Sequence, residues 1–167
     1  MGFQAAPLRS DQTTGLPGEV AREGPLRAAP WILNSSAPNI IGHAFTKVAD
    51  GEAQVGGDIS GGDVFLGILG RPKEHALLGV GTSSLTPTDV LGNGIVGTLI
   101  SKAILFIKLD DASAQSVAGA VGTALFFNDT TGIISAGTAG AGESVIPNAV
   151  IVLEDVADGT LAIVQFE

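Results

Sequence analysis

Residues 149–166 read AVIVLEDVADGTLAIVQF, and this stretch decides the fold class of the chain. Two runs rich in β-branched and apolar residues stand on either side of Asp158-Gly159. Asp-Gly between such runs is a strong short-range signal of a β-hairpin, because both residues tolerate the positive φ angles of a tight turn. The stretch therefore predicts two antiparallel strands that meet at Asp158-Gly159.

Short apolar runs of the same kind recur upstream, separated by turn residues. Asp50-Gly51 and Asn93-Gly94 are two further hairpin signals, and Ala103–Ile107 is nearly continuous apolar, as in a strand buried on both faces. The 24 glycines argue against a helical bundle, and residues 112–120 have room for one helical turn at most. Such a pattern predicts an all-β protein with a single β-barrel or jelly-roll-like body over residues 31–167.

The first 30 residues differ in composition from the rest of the chain. They contain four of the eight prolines, and proline disfavours both helix and central strand because it lacks a backbone donor. Apolar side chains are scattered through the segment, unlike a flexible glycine-serine linker. We therefore predict an extended N-terminal arm over residues 1–30 that docks onto another surface; a partly disordered tail is the alternative. The predicted apolar anchors are Phe3, Leu8, Leu16, Val20 and Leu26, with Arg22 and Arg27 as ion-pair partners.

Charge and composition argue against several classes of partner. The chain carries a formal net charge of -9, from 8 basic and 17 acidic residues. Such a surface repels phosphate backbones and anionic lipid, so neither nucleic acid nor membrane is expected as a partner. Without cysteine, disulfides and thiolate metal sites are excluded. The N-terminus lacks a signal-peptide pattern, and no apolar run approaches the roughly 20 residues that span a bilayer. We expect a soluble protein.

Patterns that carry catalytic or cofactor chemistry are weak. His43 and His75 are isolated and lack the spacing of paired metal ligands. Residues 92–97, GNGIVG, match the glycine pattern of dinucleotide sites, but β-branched residues follow where such a site needs a helix. The loop between Asp58 and Asp63 lacks the alternating oxygen donors of a calcium motif. We therefore expect a protein that is not an enzyme and binds neither cofactor nor metal.

Several stretches, taken in order, resemble one known family, the structural cement (decoration) proteins encoded beside the major capsid genes of tailed phages. No single stretch is specific, and the glycine-rich residues 56–97 do not contribute to the resemblance. The stretches are MGFQ (1–4), GLPGEVA (15–21), GPLR (24–27), GTALFF (122–127), GII (132–134), IPNA (146–149) and GTLAIV (159–164).

The resemblance implies a β-barrel or jelly-roll body on the outer surface of the capsid, with an arm that reaches across neighbouring capsid subunits. It implies the major capsid protein as partner, a homo-oligomer (dimer or trimer), and synthesis in the host bacterial cytoplasm. An extended chain spans at most about 3.3–3.6 Å per residue, so an arm of this length can cross a small domain. The predicted function is a cement protein that clamps capsid subunits.

Two other functions remain open at this point. A virion-surface module that binds carbohydrate or a receptor is the main alternative, and exposed aromatic side chains clustered on one face would favour it. An enzyme of unknown type is the second alternative, and a deep cleft with convergent polar side chains would favour it.

Overall fold

A computed structural model describes residues 16–71, 90–110, 121–154 and 161–166. These residues form eleven strands and no helix, which confirms the predicted all-β class. The strands are β1 (Arg27–Leu33), β2 (Asn39–Ile40), β3 (Ala44–Ala49), β4 (Glu52–Val55), β5 (Phe65–Leu69), β6 (Val90–Leu91), β7 (Val96–Lys108), β8 (Ala124–Asn128), β9 (Ile134–Ala136), β10 (Glu143–Glu154) and β11 (Leu161–Phe166).

Five strands close into a barrel, hereafter the first barrel. Their order is β1-β4-β3-β5-β7, and β7 pairs again with β1, so the ring has no free edge. β1 is parallel to β4 and antiparallel to β7, while the other neighbours are antiparallel. Closure removes the unpaired edge groups that otherwise promote aggregation. The predicted barrel body is therefore confirmed.

The second half of β7 belongs to another sheet, hereafter the second sheet, with the order β7-β11-β10-β8-β9. A parallel bridge between Leu109 and Ile134 brings β9 back to the end of β7. Because β7 is 13 residues long, it serves both units. Ala103, Leu105 and Ile107 point into the large core under the second sheet, and Phe106 is also buried, on the opposite face. The predicted burial of this run on both faces is thus largely confirmed.

Two of the three hairpin predictions are confirmed in their strands. β3 and β4 pair antiparallel around Asp50-Gly51, with Ala49 opposite Glu52. β10 and β11 pair antiparallel, although the turn at Asp158-Gly159 itself lies outside the described residues. The single helical turn for which residues 112–120 have room also lies outside them.

The third hairpin prediction is wrong. Asn93-Gly94 does turn the chain, but Val90–Leu91 pairs with Asn39–Ile40 and not with β7. The reason is that the Asn93 side chain bonds to a different loop. Its Oδ1 accepts from the Ser35 backbone N–H at 3.0 Å and from Asn39 Nδ2 at 2.9 Å, and its Nδ2 donates to the Ser35 carbonyl at 2.8 Å. β7 follows this turn, where a dinucleotide site would need a helix.

The turn between β8 and β9 connects the second sheet to the first barrel. Gly57 N–H donates to the Asp129 carbonyl at 2.7 Å, and Ala44 N–H donates to the Gly132 carbonyl at 2.9 Å. His43 Nδ1 lies 2.8 Å from the Thr131 carbonyl. Because a carbonyl only accepts, Nδ1 carries the hydrogen. The two halves of the molecule are therefore joined by backbone bonds as well as by β7.

Candidate interaction surface

Residues 16–26, hereafter the docked segment, are the described part of the predicted arm that precedes β1, and they lie along the second half of β7. Gly18 N–H donates to the Phe106 carbonyl at 2.8 Å, and Phe106 N–H donates to the Glu19 carbonyl at 2.9 Å. Ala21 N–H donates to the Ile104 carbonyl at 2.8 Å. The segment is therefore bound by antiparallel, strand-like pairing, and its Ala21 side chain packs on the outer face of the second sheet.

A tight turn at the start of the docked segment holds it against the first barrel. Glu19 N–H donates to the Leu16 carbonyl at 3.1 Å, and Gly18 has a φ angle of 80°. This is the geometry of a type II turn, in which proline at the second position and glycine at the third are preferred. Gly18 is buried, and its carbonyl accepts from the Arg71 N–H at 3.0 Å. The Pro-Gly pair was the available sequence signal for this contact, and our sequence analysis missed its structural role.

Three of the five predicted anchors lie on the docked segment, and all three are exposed. Leu16, Val20 and Leu26 are 49%, 48% and 58% exposed, so they do not serve the core of their own chain. Arg22 and Arg27 are exposed as well, and Arg27 already belongs to β1. The other two anchors, Phe3 and Leu8, lie outside the described residues. Backbone bonds therefore hold a segment whose large apolar side chains face away from the body.

Lys102 is a second residue of this surface that sequence reasoning missed. The antiparallel register of β1 and β7 places Arg27 directly opposite Lys102. No sequence signal announces this pair, because the two residues belong to distant parts of the chain and meet only when the first barrel closes.

Two groups that the sequence analysis considered as ligands, His43 and the loop between Asp58 and Asp63, make contacts within the fold. Burial lowers the pKa of His43, and its hydrogen bond to Thr131 opposes that shift in part; His75 lies outside the described residues. The Asp63 carboxylate accepts from the Asp58 backbone N–H at 2.9 Å and so closes its own loop. Within the described ranges there is no cluster of three or more histidine or acidic side chains that could hold a metal ion. No helix in those ranges is long and apolar enough to cross a membrane.

The family comparison decides the identity of the chain. A family model described as "Structural cement protein (E217 gp24/Pam3 gp6)" matches residues 3–167. The chain belongs to this family. The match confirms the resemblance seen in the sequence and extends over the glycine-rich middle that did not contribute to it. As a family member the cement protein has a structural role.

Solved structures support the fold of this cement protein. A chain from "The capsid of Myoviridae Phage XM1" superposes with a TM-score of 0.69 at 18% sequence identity. The superposition covers 100% of the cement protein and 98% of the phage XM1 chain. At this identity the likeness shows a shared fold. Among curated protein sequences, none matches the chain.

Proposed function

We propose that this cement protein binds the outer surface of the assembled phage head and clamps neighbouring major capsid subunits. The observation that carries the proposal is the docked segment. It is fixed to the body by backbone bonds, yet presents Leu16, Val20 and Leu26 outward. Family membership and the capsid chain of similar fold support a location in the virion.

Burial of these side chains supplies a useful affinity. Fully burying a leucine or valine contributes about 1.5–3 kcal/mol, so covering the exposed halves of three such side chains contributes roughly 3 kcal/mol. That is about a hundredfold in affinity. A homo-oligomer (a dimer or trimer) multiplies weak contacts of this kind through effective concentration. Binding to assembled shells in preference to free subunits then stabilises the shell by mass action.

The alternative function, a carbohydrate- or receptor-binding module, receives less support. Sugar sites use exposed aromatic faces, but the exposed large apolar side chains of the described residues are all aliphatic. Trp31 is only partly exposed and packs against the core of the first barrel. Membership in a family of structural proteins also supports a role without catalysis.

A triple variant tests the proposal. Leu16→Ser, Val20→Ser and Leu26→Ser together remove the exposed anchors and leave the backbone bonds of the docked segment in place. The matched control replaces three equally exposed valines elsewhere, Val64, Val121 and Val145, at 57%, 65% and 52% exposure.

Co-sedimentation with purified shells of the cognate phage measures the affinity. We expect the first triple to lose about a hundredfold and the control to bind like the unaltered protein. Equal binding by both triples would contradict the role of the docked segment. The mass of the free protein in solution separately tests the dimer or trimer.

A further inference from the structure

A pair of like charges lies at the edge of the docked segment. Arg27 and Lys102 are Cα partners at the end of the β1–β7 ladder, where the register shifts between Arg27 and Ala28. Residues directly opposite in an antiparallel pair point to the same face with their Cβ atoms about 4.5–5.5 Å apart, and like charges there are destabilising. The chain has 17 acidic residues against 8 basic ones, so it has more than enough carboxylates to neutralise this pair.

No described carboxylate does so. The ion pair formed within the described ranges joins Lys47 to Asp50, on the hairpin of β3 and β4. Glu19, the acidic residue of the type II turn, uses its carboxylate to accept from the Leu16 N–H at 3.1 Å. Arg27 is exposed and Lys102 is partly exposed, so both cations remain accessible.

We propose that Arg27 and Lys102 together bind a carboxylate on the surface of the partner capsid subunit. This inference rests on the proposed function and adds Lys102 to the capsid-binding surface. Arginine binds carboxylates through two parallel hydrogen bonds, and lysine adds a point charge beside it. Leu26, which is 58% exposed, directly precedes Arg27. The surface therefore fits a protein segment that carries an acidic side chain next to an apolar one. The overall negative charge disfavours a polyanion such as nucleic acid.

The inference predicts opposite effects of one substitution on the free and the bound protein. Lys102→Gln removes the repulsion with Arg27, so we expect the Tm of the free protein to rise by about 1–3 °C. The same change removes half of the carboxylate site, so we expect the affinity for shells to fall about five- to tenfold at low salt. The loss should shrink as ionic strength rises, because salt screens exposed charges.

Lys108→Gln is the matched control. Lys108 is exposed, lies on the same strand an even number of residues away, and faces Leu161 instead of a cation. We expect it to change neither Tm nor affinity. If wild-type protein binds shells and Lys102→Gln binds equally well, or if Lys102→Gln fails to raise Tm, the carboxylate site is overturned. Wild-type protein that does not bind shells would instead overturn the proposed function itself.

Discussion

Gly18→Ala is the perturbation that most directly probes how the docked segment is held. An ideal Cβ on this residue lies 2.6 Å from Ile41 Cγ2 and 2.9 Å from the Leu69 carbonyl oxygen. Neither neighbour can retreat easily, since Ile41 is 5% exposed and Leu69 fully buried. The φ angle of 80° adds a second cost, because an L-residue in this left-handed region loses about 1–2 kcal/mol.

The two costs together are similar in size to what holds the segment. Inserting a methyl group into a packed site costs typically 1–3 kcal/mol, so the substitution costs roughly 2–5 kcal/mol in all. The segment is attached by a few backbone hydrogen bonds, each contributing about 0.5–1.5 kcal/mol. We therefore expect a large fraction of the molecules to release the segment from β7, while the first barrel and the second sheet stay folded.

Two glycines provide matched controls. Gly24→Ala lies in the same segment, where the new methyl group would meet only Ile104 Cδ1 at 3.8 Å, an ordinary contact. Gly94→Ala has a φ angle of 79° but no atom within 4 Å of the new methyl group, so it isolates the backbone strain. The difference between Gly18→Ala and Gly94→Ala then measures the steric contact.

Limited trypsin digestion with mass spectrometry reads out release of the segment. Arg22 is an exposed cleavage site within the segment, and cleavage there should accelerate at least about tenfold in Gly18→Ala, whereas Arg27 belongs to β1 and should be cleaved at the wild-type rate. Circular dichroism should show an intact β-protein in the same sample, and shell binding should fall. Cleavage of Gly18→Ala at the rate of Gly24→Ala would refute the reasoning, because the packed glycine would then not hold the segment.

Three further predictions concern the body of the protein. Burial lowers the pKa of His43 in the folded protein, so below about pH 6.5 the unfolded protein binds a proton at His43 more readily than the folded protein does. The free energy of unfolding should therefore fall as the pH drops below this value. Denaturant titrations from pH 5 to 8 should show this slope weakened in His43→Asn and retained in His75→Gln. Thr46 is fully buried, and its hydroxyl has no hydrogen-bond partner among the described residues. Thr46→Val should therefore stabilise the protein by about 1 kcal/mol in urea unfolding. A stability no higher than that of the exposed control Thr98→Val would contradict this prediction. Asn93→Ala removes three hydrogen bonds of its loop and should destabilise by about 2–3 kcal/mol; a loss under 1 kcal/mol would show that the bonds contribute little.

Features that depend on neighbouring residues could be predicted from the sequence. The hairpin at Asp50-Gly51 and the pairing of β10 with β11 follow from local turn chemistry and from alternating apolar runs. The glycine content and the short apolar runs between turn signals together pointed to an all-β protein. The structure adds that Leu16, Val20 and Leu26 are exposed, and their role as anchors stays a prediction.

Features that depend on which distant strands meet were decided only by the tertiary structure. Local signals placed a turn at Asn93-Gly94, but the partner of Val90–Leu91 was set by side-chain bonds to Ser35 and Asn39. Likewise, Lys102 faces Arg27 only because the first barrel closes through β1 and β7. Turn geometry is encoded within a few residues, whereas the register between distant strands is selected by the packing of both cores at once.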